Sequence, residues 1–158
     1  MGWVTLTLRR ETLDIEGNNL EFRDTQLSRR LRNVQKNLSH DQSVFNKNKH
    51  AELAKAKKPY EEVKARKGDN MEYGSDEYNQ WYQELADAKE KYEAEKLDIE
   101  NRYDDMNNEA EEESTDKENE IKDEQVNVES QLESNKSELE VVKQQISTDI
   151  DQSKLNLK

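Results

Sequence analysis

The stretch Leu13-Asp14-Ile15-Glu16-Gly17-Asn18-Asn19-Leu20-Glu21-Phe22-Arg23-Asp24-Thr25-Gln26-Leu27-Ser28-Arg29-Arg30-Leu31-Arg32-Asn33-Val34 decides the fold. Leu13, Leu20, Leu27 and Val34 recur every seven residues, and Leu31, Leu38 and Phe45 form a second row four residues on. Apolar residues at two positions of a heptad make the seam of a coiled coil. Outward from this stretch, Leu53, Ala56, Tyr60 and Val63 continue the face. Tyr78, Leu85, Tyr92, Ile99 and Met106 then form one row of a second segment, and Tyr82, Tyr103 and Ala110 the other. Residues 111–120 hold no apolar side chain, and the pattern resumes at Ile121, Val128, Leu132, Leu139, Val142, Ile146 and Ile150. A disordered chain would not keep this register.

Composition agrees. Of the 158 residues, 30% are hydrophobic and 39% charged, against about 45–50% and about 25% in globular domains. A chain this polar lacks the buried walls that most enzyme pockets require. Four glycines and one proline leave little material for the turns of a sheet or barrel, and the absence of cysteine removes disulfides and thiolate chemistry. What remains is long helices burying a narrow apolar stripe.

The predicted fold is all-α: a long antiparallel helical hairpin with a short extended, β-like N-terminal arm. Residues 1–9 form the arm, 10–66 helix 1, 67–75 the loop and 76–155 helix 2. Lys67-Gly68-Asp69-Asn70 reads as a helix stop with a C-cap glycine, and Gly74-Ser75-Asp76-Glu77 as a start with an N-cap serine. Pro59 predicts a kink or interruption near Lys57–Pro59. Gly17, Asn18 and Asn19 fall on the solvent side of this heptad assignment.

With a turn near residue 71, facing residues have numbers summing to about 142. Arg29–Arg32 then lie beside Glu111–Glu113, which suits a net charge of +6 over residues 1–67 (fifteen Lys/Arg against nine Asp/Glu) and −18 over 68–158 (ten against twenty-eight). In that register helix 1 is exhausted near Leu132. Residues 132–155 are then predicted to extend beyond the hairpin, with Leu139, Val142, Ile146 and Ile150 offered to another molecule and Leu155 and Leu157 trailing.

Two other segments are candidates for partner binding. Trp3-Val4-Thr5-Leu6-Thr7-Leu8 is rich in β-formers, with Val4, Leu6 and Leu8 on one face, a strand that would need another chain to pair with; the alternative is a first helical turn with a frayed end. Tyr60, Tyr73, Tyr78, Trp81 and Tyr82 gather at the tip. They either plug the end of the two-helix core or, with Tyr78, Trp81 and Tyr82 foremost, form a docking patch.

Catalytic signals are weak. His40 and His50 are ten residues apart without further ligands, and the loop at Asp69–Gly74 has Met71 and Tyr73 where a calcium loop needs oxygens. Acidic runs such as Asp104-Asp105 read as solvated faces, since acid–base work needs a desolvated pocket. No phosphate-binding glycine loop or nucleophile elbow occurs. The chain is therefore expected to be a non-enzyme with no cofactor, metal or small-molecule substrate.

No apolar run reaches the length of a membrane span. The basic residues follow the first apolar stretch, the reverse of a secretory signal, so a cytoplasmic or particle-bound protein is expected. The leading expectation is a structural or interaction protein whose partners are other subunits or itself, of the kind found in tailed-phage virions and other multi-subunit machines. The alternatives are a helical-hairpin chaperone or export adaptor, and a nucleic-acid-binding rod using Arg29, Arg30, Arg32, Lys55, Lys57 and Lys58. That last reading is the weakest, because acids are interleaved among the bases.

Overall fold

In a computed structural model describing residues 2–69 and 71–155, the chain forms two long helices that pack against each other. Helix α1 spans Trp3–Ala65 and α2 spans Asp76–Leu155. No strand occurs among the described residues. The chain divides into two compact units, one made of residues up to Gln35 and from Thr115 on, the other of Lys36–Ser114.

The first unit holds the apolar clusters. Leu6 and Leu13 pack with Val142, flanked by Leu139 and Ile146. Leu27 packs with Ile121 and Val128, flanked by Leu20, Leu31, Val34 and Leu132. Facing seam residues, such as Leu13 and Asn135, have numbers that sum to about 148 rather than 142. The shift, whose cause lies at the loop, corrects the predicted register.

The predicted extended arm is also corrected, since it is helix. Trp3 opens α1, and Leu6 extends the heptad row of Leu13, Leu20 and Leu27 by one more turn pair, where it is 5% exposed. Burial of Leu6 outweighs the strand preference of Val4, Thr5 and Thr7, because propensities amount to only tenths of a kcal/mol per residue while burying a leucine contributes about 1.5–3 kcal/mol. The Thr7 hydroxyl donates to the Trp3 carbonyl at 2.8 Å, and that of Thr12 to Leu8 at 3.0 Å. Arg9 forms an ion pair with Glu138 at 2.7 Å.

The cause of the register shift lies in the unit Lys36–Ser114, where Val63 at the end of α1 and Arg66 just after it meet α2 at Trp81 and Glu84 rather than at its first residue. The first turn of α2 runs past the end of α1, and the loop folds against it through Tyr73 on Tyr78. Residues 132–146 therefore have partners on α1, and the predicted free extension from 132 is overturned. With α1 beginning at Trp3, the unmatched end of α2 begins near Ile146.

The helix ends also differ from expectation. The Ser75 N-cap is present, its hydroxyl accepting the Tyr78 N–H at 3.1 Å. The left-handed glycine of the loop is Gly74 (φ 84°); Gly68 does not adopt that conformation. α1 instead tightens at its end, with Arg66 N–H donating to Val63 O and Lys67 N–H to Lys64 O. α1 passes through Pro59 without interruption, losing only the bond that the absent proline N–H would have made.

Candidate interaction surfaces

Three sets of predicted partner-binding residues can be placed. In the N-terminal set, Leu6 is buried, whereas Trp3, Val4 and Leu8 are 55–60% exposed. In the C-terminal set, Val142 is buried and Leu139 and Ile146 pack beside it, so these three serve the hairpin; Ile150 is exposed. Leu157 lies outside the described residues.

The tip set is divided in role. The Trp81 indole N–H donates to the Val63 carbonyl at 3.0 Å, so α2 supplies a cap to one of the last carbonyls of α1. Lys67 lies over the Trp81 ring at 5.5 Å, and Tyr78 contacts Tyr73, Trp81 and Tyr82 at centroid distances of 5.1, 5.6 and 6.3 Å. Tyr60 stacks on Tyr92 at 6.0 Å. Trp81 and Tyr78 therefore plug the tip, while Tyr73 and Tyr82 remain exposed.

The charges pair differently from the predicted match of Arg29–Arg32 with Glu111–Glu113. Arg30 meets Glu124 at 3.5 Å in one unit, and in the other the Gln42 amide donates to Glu111 at 2.8 Å. Lys49 pairs with Asp104 at 3.0 Å. Glu52 accepts from the buried Tyr103 hydroxyl at 2.7 Å and from Arg102. The Tyr103 bond, reinforced by Arg102, holds the Glu52 carboxyl below its ordinary range, and the same bond holds the Tyr103 phenol above its own.

Two features were missed in the sequence reading. Gly17 lies on the seam rather than toward solvent. A Cβ there would stand 3.0 Å from Asn135 Oδ1, and the Asn135 amide donates to the Leu13 carbonyl at 3.1 Å. A buried asparagine in a coiled-coil core fixes register, and here it fits because the residue opposite has no side chain. The heptad frame, extended to Gly17 four residues after Leu13, held the signal.

The second feature is a stripe on the outside of α1. Leu8, Ile15 and Phe22 follow Leu6, Leu13 and Leu20 by two positions, about 200° around the helix, and are 60–63% exposed. Their own spacing of seven was legible in the sequence and was masked by the stronger leucine row. Grooves lined by Glu129, Leu132, Lys136 and Leu139, and by Leu13, Asn19, Leu20 and Asn135, are open to solvent. Among the described residues no cluster of three metal-ligating side chains occurs, and no helix is long and apolar enough to cross a membrane. No family model, curated protein or solved structure matches the chain.

Proposed function

We propose that this chain is a non-enzymatic structural or interaction protein, a coiled-coil component of a larger assembly such as a tailed-phage virion or a comparable multi-subunit machine. The observation that supports the reading is the apolar surface left over once the hairpin seam is filled. Val4, Leu8, Ile15 and Phe22 gather on one outer face of α1, each more than half exposed, in a chain that is otherwise highly charged. Exposed apolar side chains arrayed along one face mark interaction sites, whereas scattered ones do not.

The test is purification of the tagged chain from its native source, followed by sizing and identification of what remains bound. The expected result is a particle with this chain and defined subunits in fixed stoichiometry. Recovery of the chain without other subunits, or with a turnover activity that the purified chain reproduces, overturns the reading.

A further inference from the structure

We infer that the outer stripe of α1 is a homotypic interface, through which two copies of this chain associate antiparallel about a two-fold axis at Ile15. This deepens the proposed function and rests on its view of the stripe as an interaction surface.

Consider first what the stripe excludes. Within about 60° of its midline, between residues 4 and 26, α1 carries Val4, Leu8, Glu11, Thr12, Ile15, Asn18, Asn19, Phe22 and Gln26. Glu11 is the single charge in a chain where 39% of residues are charged. Apart from Glu11, the residues beside the apolar row, Thr12, Asn18 and Asn19, are short and uncharged, which lets a second helix approach. The repeat of seven matches the geometry by which one helix winds on another.

Charge and shape then select the partner. In this unit the α1 segment, residues 3–35, is close to neutral, with six arginines against five acids. The α2 segment, residues 115–155, has five lysines against eleven acids. A second copy approaching through α2 brings two acidic surfaces together, whereas contact through the outer face of α1 leaves α2 on the far side in both copies. Nor does α2 offer a matching stripe here, since no three of its exposed Val126, Val141, Ile150 and Leu155 are spaced by seven. The apolar surface that matches the α1 stripe is the stripe itself, so the contact is isologous.

Orientation follows from Glu11. In a parallel pair Glu11 faces Glu11 of the other copy, two like charges at an interface, which is unfavourable. In the antiparallel pair centred on Ile15, residues whose numbers sum to about 30 face each other. Leu8 then meets Phe22 of the second copy, Ile15 meets itself, and Glu11 meets Asn19, whose amide is a donor for the carboxylate. The apolar contact is short, so the association is of modest strength and visible at micromolar rather than nanomolar concentration.

The experiment uses the full chain, which has no cysteine of its own. Sedimentation equilibrium of the wild type is expected to show a monomer–dimer equilibrium, and Leu8→Gln/Ile15→Gln/Phe22→Gln is expected to weaken it about 100-fold with unchanged helicity by circular dichroism. Under mild oxidation, Ile15→Cys is expected to cross-link to itself. A mixture of Leu8→Cys and Phe22→Cys chains is expected to give the mixed dimer in excess over either self-dimer. A wild type that stays monomeric to about 1 mM, a dimer unaffected by the triple substitution, or self-linking of Leu8→Cys as fast as that of Ile15→Cys overturns the inference. A monomer that still enters a multi-subunit particle leaves the proposed function standing and removes the homotypic interface alone.

Discussion

At the scale of single residues, Gly17 and Asn135 act as one device. Glycine inside a helix costs about 0.5–1 kcal/mol relative to alanine, and here it opens the space that lets Asn135 reach the Leu13 carbonyl. In the wild type, Gly17→Ala is expected to destabilise by about 1 kcal/mol, because the new methyl crowds Asn135 Oδ1 more than helix propensity returns. In an Asn135→Ala background the same change is expected to stabilise by about 0.5–1 kcal/mol. Urea denaturation of the four chains gives the coupling, and additivity of the two changes would refute it.

The Glu52–Tyr103 bond makes a different forecast. Glu52's folded pKa is lowered, so its contribution is present above the ordinary glutamate value and disappears as pH falls through the folded one. Tyr103's is raised, so its contribution is present below the ordinary tyrosine value and disappears as pH rises through the folded one. The difference in melting temperature between wild type and Tyr103→Phe is expected to be largest between those limits and to shrink at both ends. A difference independent of pH would mean that ring packing alone was lost.

At the scale of elements, the helices, the Ser75 start and the seams were legible because a repeat of seven and capping chemistry are local signals. The arm was not, since Val4, Leu6 and Leu8 fit both a strand and a helix until Val142 is known to receive Leu6. Nor was the register, which depends on a loop that folds against α2 rather than turning symmetrically. The acidic stretch of α2 carries its own strain. Glu112, Asp116, Glu120 and Glu124 stand four apart, and like charges at that spacing destabilise by about 0.2–0.5 kcal/mol per pair. Replacing Asp116 by lysine turns two repulsions into two attractions, so Asp116→Lys is expected to stabilise the protein by about 1 kcal/mol. Thermal melts at low ionic strength would show it, and the gain is expected to fade as salt screens the pairs.

At the scale of the whole molecule, the two units are held by different chemistry. The clusters around Leu6, Leu13 and Val142 and around Leu27, Ile121 and Val128 all belong to the unit containing both helices' outer ends. In Lys36–Ser114 the buried apolar residues are Ile99 and Tyr103, and the seam residues Leu38, Phe45, Leu53, Val63 and Leu85 are only half-buried, alongside stacked aromatics and ion pairs. The division falls where α2 loses its apolar residues, at 111–120, a gap already visible in the sequence although the separate character of the units was not. Burial of a large aliphatic contributes about 1.5–3 kcal/mol, whereas an exposed ion pair contributes about 0–1 kcal/mol. Opening free energies track such differences. Native-state hydrogen exchange is therefore expected to be slowest at amides near Leu13, Leu27, Ile121 and Val128, and faster at residues 40–58 and 90–112, by about tenfold for each 1.4 kcal/mol that separates them. Uniform protection along both helices would show instead that the ion pairs and aromatic stacks of Lys36–Ser114 match the leucine seam in strength, and that apolar burial is not what sets the order of opening.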